Sequence, residues 1–352
     1  MADVRDRRAW RDAIPALYEQ RVWAPFAARL RQALEQGTLA PTHRARAEAL
    51  LRAGGVVAEP LLPSNAAAAA AVTAAQMVKG DPLTQEAGFD VEGARAMYTH
   101  MFRQRAAAVD PLSVVLHVGG EVVGALTWLD VDEDARIRHQ LQQQHRQQPP
   151  QQGARPADDS PVRRLIRTVR STQPHVHARL QELWRQEGQG ERTLDAVRMA
   201  ELQTGAMPDL LHIYVPPPPP PPPPRGTDAA AAASLDPLAV GATAPTLTQA
   251  TNAFCLDRAA ESGVYTHAFV HAHDGSFRSA APVGARAQFW RRRTGARPRS
   301  AAWDVVYVAP TSAHGLPGTT GARMHVAMTE IRPVATHRWS PPEMPNAIGA
   351  RM

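Results

Sequence analysis

Nine consecutive prolines, residues 216–224, follow directly on the apolar run Leu210-Leu211-His212-Ile213-Tyr214-Val215. Proline fixes φ and lacks an amide hydrogen, so such a tract joins neither a helix interior nor a sheet ladder and holds an extended polyproline II form. The core must therefore come from the segments on either side. Residues 216–236 read as a low-complexity spacer, whose functional alternative is a docking site at residues 216–224 for a proline-recognising partner. Residues 140–161, rich in glutamine and proline, are a second insert of this kind.

The rest of the chain is globular in character. Hydrophobic residues make up 44% of the 352 and charged residues 20%, which is enough for a sizeable core. No uncharged apolar run reaches about 18 residues, so no ordinary transmembrane helix is expected, and no membrane partner. The N-terminus has mixed charge and no apolar stretch of the secretory kind, which points to a cytoplasmic location. The single cysteine, Cys255, excludes an intrachain disulfide and any multi-cysteine zinc site. Its apolar neighbours Phe254 and Leu256 assign it to the core. The net charge of +6 rests on arginine, Lys79 being the only lysine. That charge is scattered and has no aromatic interleaving on a basic face, which argues against a nucleic-acid partner.

Hydrophobic spacing organises the remainder. Residues 1–53 read as an N-terminal helical extension, with Trp10, Ile14, Leu17, Val22 and Phe26 near helical spacing and Gly54-Gly55 closing it. A strand is expected over 56–61. Asn65 then caps an alanine-rich helix over 66–77, which Gly80-Asp81-Pro82-Leu83 ends. A second helix is expected over 91–107. Residues 113–130 form the clearest hairpin, since Gly119-Gly120 suits a two-residue turn that needs positive φ at both positions. Helices follow over 162–184 and 192–203, then a buried strand over 210–215. Beyond the proline tract come a helix over 245–262, a strand over 264–273, a helix over 284–294, and strands over 302–308 and 324–331. His267, His271 and His273 alternate along one strand and so share a face, as an acid–base or metal cluster would. Residues 337–352 are a proline-rich tail. This order predicts an α/β (α+β) layered domain over residues 54–336.

Several joints carry more than pattern. Gly80-Asp81-Pro82-Leu83 with Gly88, the hairpin Val114-Val115-Leu116-His117-Val118-Gly119-Gly120-Glu121-Val122-Val123-Gly124-Ala125, the helix end Ala259-Ala260-Glu261-Ser262-Gly263-Val264, and Phe289-Trp290 with Arg293-Thr294-Gly295 occur in a telling order. In that order they resemble the GNAT superfamily of N-acetyltransferases, nearest the arylalkylamine and dopamine N-acetyltransferase branch. The likeness covers most of residues 56–331. It implies a central mixed sheet flanked by helices, with the strands at 210–215 and 264–273 adjacent, parallel and splayed at one end. It also implies acetyl-CoA as acyl-donor co-substrate, no metal, and a small-molecule amine as acceptor.

The chemistry so implied is attack of a neutral amine on a thioester. A base must take the amine's proton, and a donor must stabilise the oxyanion and protonate the thiolate. The resemblance assigns the base to Asp81, with Glu86 as a nearby substitute. The family's tyrosine acid falls on Arg291, leaving Ser276 or Ser279 as the proton relay. Ile213, Tyr214 and Val215 would pair with the pantetheine arm. Gly241, Ala242, Thr243 and Ala244, before the 245–262 helix, would cradle the pyrophosphate at a helix N-terminus; Arg225-Gly226 opens a rival loop. The alternative is a catalytically silent GNAT-like scaffold acting through its helical extension and proline tract.

Overall fold

The computed structural model describes residues 4–107, 112–130, 160–186, 199–204, 209–211, 213–215, 246–262, 265, 267–273 and 304–330. The N-terminal stretch folds as α1 (Val4–Asp12), α2 (Ile14–Tyr18), a π-helical turn (Glu19–Trp23), α3 (Ala24–Glu35) and α4 (Pro41–Arg52). Pro15 and Pro25 fall in the first turns of α2 and α3, where a missing amide donor costs nothing. β1 (Val56–Pro60) follows. Asn65 then fixes the next turn: its Oδ1 accepts the Leu62 N–H at 2.8 Å and its Nδ2 donates to the Pro60 carbonyl at 3.0 Å. From that turn runs α5 (Ala66–Gly80), then α6 (Pro82–Glu86) and α7 (Val91–Ala107).

β2 (Val114–Val118) and β3 (Glu121–Asp130) form the expected hairpin, with φ of +60° at Gly119 and +86° at Gly120. Then come α8 (Pro161–Gln186), β4 (Met199–Thr204), α9 (Leu247–Ser262), β5 (His267–His273), β6 (Asp304–Pro310) and β7 (Arg323–Glu330). The seven strands form one mixed sheet in the order β1-β2-β3-β4-β5-β7-β6. Every neighbouring pair is antiparallel except β4–β5, which is parallel. Alternate residues along a strand face opposite ways. Val114, Leu116, Leu126 and Trp128 accordingly join the core beneath α9 and the N-terminal helices, while Val115 and Ala125 join the core beneath α5 to α7. The result is a layered α+β fold with helices on both faces of the sheet.

Two expectations need correction. The strand predicted over 210–215 is not in the sheet. Asp209–Leu211 is a 3-10 turn, and Tyr214 makes only an isolated antiparallel bridge to Thr246. The parallel partner of β5 is Met199–Thr204, where a helix was predicted. A short apolar run cannot by itself distinguish a ladder strand from a buried extended segment. Here Leu211, Ile213 and Val215 gain burial without a ladder.

The helical extension over residues 1–53 packs on the rest of the fold, and residue 53 does not separate two cores. α9 is buried along almost its whole length, and the N-terminal helices supply the cover. The Tyr18 hydroxyl lies 2.9 Å from Thr251 Oγ1, and its ring meets Phe254 edge-on. Arg21 pairs with Glu261 at 2.6 Å. Arg258, buried beside them, donates to the Trp10 carbonyl and lies 4.2 Å from the Trp10 ring centroid. The extension is thus one layer of the fold rather than an appendage.

Candidate functional site

The ladder between the two parallel strands is short. β4 pairs with β3 from Ala200 to Thr204, and β5 pairs with β7 from His267 to His273. Between β4 and β5, however, the register holds only Met199↔His267, Ala200↔Ala268 and Glu201↔Phe269. Past that point Leu202 to Thr204 stay paired to β3, and Val270 to His273 to β7. Strand edges outside a ladder can accept an extended, amide-bearing group as an added strand would be accepted.

A polar cluster stands near the end of this ladder. His271 lies two residues past the last β4–β5 pair, on the face opposite Ala268 and Val270, which belong to the α9-side core. Its Nε2 is 3.2 Å from Thr172 Oγ1 on α8. Val326 of β7 pairs with both His271 and Tyr307, so these two residues sit level, one strand apart on either side. Tyr307 stacks on His175 at a centroid distance of 4.4 Å, and its hydroxyl is 3.2 Å from His314 Nε2. On the other side of that imidazole, Ser171 Oγ is 2.5 Å from Nδ1.

The hydrogen bonds set a direction along this chain. Ser171 Oγ gives its one proton to the Thr168 carbonyl at 2.7 Å. His314 Nδ1 therefore donates to Ser171, and its Nε2 accepts from the Tyr307 hydroxyl. Such an arrangement needs neutral imidazole. Burial holds the His314 pKa below its ordinary value, and the neighbouring His175 and His271 push it the same way. Burial raises the Tyr307 phenol in the opposite sense, keeping it protonated.

The carboxylates singled out from the sequence serve elsewhere. Asp81 is the N-cap of α6 and is 4% exposed. Its Oδ2 accepts the Thr84 N–H at 2.8 Å and the Thr84 hydroxyl at 2.6 Å. Glu86 fastens the segment between β6 and β7: it accepts the backbone N–H of Gly318 at 3.0 Å and of Thr320 at 3.1 Å, and the Thr320 hydroxyl. Burial alone would raise its pKa. The bonds from Thr320, Thr311 and Gly318 outweigh burial and hold the carboxyl below its ordinary value.

The proposed cofactor residues are only partly in view. Ile213 and Val215 are buried under the N-terminal helices, Arg29 donates to the Val215 carbonyl at 2.8 Å, and Tyr214 is half exposed. Ser279, Gly241, Ala242, Thr243 and Ala244 lie outside the described residues, as do Ser276, Arg225, Gly226, Arg291 and the proline tract. The helix they would lead into, α9, opens on a capping box. Thr246 N–H donates to Gln249 Oε1 at 3.1 Å, and Gln249 N–H donates to Thr246 Oγ1 at 3.2 Å.

Of the cluster, the sequence marked only His271, by its alternation with His267 and His273. Ser171, Tyr307 and His314 carry no local signal, because the fold brings them together from three separate segments. Among the described residues no group of three or more His, Cys, Asp or Glu side chains is arranged to hold a metal ion. Among the described residues, too, no helix is long and apolar enough to cross a membrane. Comparison of the chain with protein-family models, curated proteins and solved structures finds no match.

Proposed function

We propose that the chain is an acyl-CoA-dependent N-acyltransferase of GNAT-like fold, acting in the cytoplasm to move the acetyl group of acetyl-CoA onto a small primary amine. The observation that supports this reading is the parallel β4–β5 pair, whose ladder ends after three residue pairs. A pantetheine arm has two amides in an extended chain, and a gap between strand edges is where such amides find partners. The pyrophosphate would then lie toward the N-terminal end of α9, at residues 241–244, where amide donors favour anions. The amine attacks the thioester directly. Residues 216–224 would be the docking site of a proline-recognising partner.

The test is calorimetric titration of the full chain with acetyl-CoA. Binding is expected in the micromolar to sub-millimolar range, about −5 to −8 kcal/mol. Absence of heat at millimolar acetyl-CoA would remove the enzyme reading. One observation favours the second reading, a catalytically silent scaffold: Asp81 and Glu86 are both buried and committed to structural hydrogen bonds. That reading predicts no acetyl-CoA binding.

A further inference from the structure

We propose that α8 is a membrane-docking helix, which seats the protein flat on a bilayer rich in anionic phospholipid. The proposal is independent of the acyltransferase reading and starts from how α8 sits on the sheet. Thr168 and Thr172 are its most buried residues. Thr168 and Ser171 meet His314, Thr172 meets His271, and His175 stacks on Tyr307. A surface helix ordinarily turns its apolar stripe to the core. α8 docks through hydroxyls and imidazoles instead, and its apolar stripe lies on another side.

That stripe is regular. Val162, Ile166, Val169, Val176, Leu180 and Trp184 fall at helical spacing, which places their positions on one side of the helix. Leu165, next to them, packs against the core beneath α5 to α7. Val162 and Ile166, one turn apart, are 37% and 41% exposed.

The charge of the helix says what covers them. α8 carries six arginines and one glutamate, a net +5 where the whole chain has +6. Its one acid, Glu182, pairs with Arg185. No other helix among the described residues is as basic. By the helical period, positions 163 and 170 border the stripe on one side and position 179 on the other, all three arginine. Arg163 and Arg167 are exposed. An aliphatic stripe bordered by arginine matches the interfacial zone of an anionic bilayer: the stripe enters the acyl boundary, and guanidinium groups stay level with the phosphates. A convex aliphatic stripe asks for no complementary shape, which suits a fluid acyl layer better than a protein groove. The 26-residue helix is about 39 Å long, in the range of helices that lie in a membrane plane. The expectation of no membrane partner came from the lack of a spanning segment, which does not bear on a helix lying flat.

The test is co-sedimentation of the full chain with vesicles of phosphatidylcholine alone, and of phosphatidylcholine with about one-third phosphatidylserine. Binding to the anionic vesicles should be at least about tenfold tighter than to the neutral ones and should weaken as salt rises. Val162→Ser combined with Ile166→Ser should lower it roughly tenfold, and Arg163→Gln roughly fivefold. All three side chains are exposed, so the melting temperature should stay unchanged. A second readout uses a polarity-sensitive thiol dye, which the buried native Cys255 does not compete for. On Ile166→Cys its emission should shift to the blue with anionic vesicles, and on Gln32→Cys, exposed on α3, it should not. No sedimentation with anionic vesicles overturns the proposal, as does binding that the serine pair leaves unchanged. Tight binding of soluble polyglutamate with no binding of vesicles would assign the face to an acidic protein and overturn it as well.

Discussion

Glu86 accepts the Gly318 N–H at 3.0 Å across a sequence separation of 232 residues. The bond ties α6, on one side of the sheet, to the segment that carries His314. Removing the acceptor strands two buried-side amides, and hydrogen bonds to a charged group are worth about 1.5–3 kcal/mol each. Glu86→Ala should therefore lower stability by roughly 3 kcal/mol in urea denaturation. The pH dependence follows from the depressed carboxyl. In the folded protein Glu86 titrates below its ordinary value of 4.5, so its contribution is complete above that value and erodes as the pH falls through the lower folded value. Denaturation curves between pH 7 and pH 3 should show a shallower acid loss in Glu86→Gln than in wild type. Parallel curves would mean the carboxylate contributes no pH-linked stability.

The N-terminal helices should behave as core. Tyr18 is fully buried, with Phe254 against its ring and Thr251 at its hydroxyl. Tyr18→Ala is expected to cost about 3–5 kcal/mol, as for other large buried aromatics, and Tyr18→Phe about 1 kcal/mol. Deleting residues 1–53 should expose α9 and give insoluble protein. Gly55 makes the same point: it has φ of +93°, and a Cβ there would run into the Trp23 ring. Gly55→Ala should therefore lower the melting temperature by at least about 2–4 °C, the effect of 1 kcal/mol or more in a domain of this size. A soluble, unchanged fragment beginning at residue 54 would contradict this reading.

How far the sequence revealed these features depended on how local the cause was. α7 occupies the expected residues 91–107, and the hairpin turns where Gly-Gly required it, because both rest on near-neighbour physics. β4 was misread because Met199-Ala200-Glu201-Leu202-Gln203-Thr204 is composed largely of helix formers. Only ladders to β3 and β5 make it a strand, and neither partner is nearby in the chain. Residues 210–215 had the composition of a strand and lost the competition for a sheet edge. The site followed the same rule. The face of His271 was legible from its period-two spacing, whereas Ser171 meets His314 across a separation of 143 residues.

Asp81 can be tested as cap against base, because the two roles respond differently to one substitution. Asparagine caps a helix about as well as aspartate, while alanine does not. Asp81→Asn should keep the melting temperature within a degree or two, and Asp81→Ala should cost about 1–2 kcal/mol. As a cap and not a base, Asp81 should be replaceable by either without loss of acetyl-transfer turnover per folded molecule. A fall of 10²-fold or more in Asp81→Asn, at unchanged stability, would return the base role to Asp81.

His314 should make the fold sensitive to mild acid. In the folded chain its imidazole is held neutral by burial, with His175 on α8 and His271 on β5 opposing a further positive charge, and Tyr307 and Ser171 occupying its two nitrogens. Unfolded, it would protonate near its ordinary value of 6.5. The sign is fixed by which state binds the proton first. Because the folded pKa is the lower one, the unfolded chain gains protons earlier, so stability is full above about pH 6.5 and declines as the pH drops below it. The decline should continue until the pH reaches the folded value. His314→Gln removes this titration, so the difference in stability between wild type and variant should narrow steadily from pH 7.5 to pH 5. Ser171→Ala should act differently. It leaves the His314 Nδ1–H without its acceptor, costs about 1–3 kcal/mol at neutral pH, and preserves the slope. Equal slopes in wild type and His314→Gln would show that the imidazole binds its proton as readily folded as unfolded, contrary to the hydrogen-bond direction set by Ser171 and Thr168.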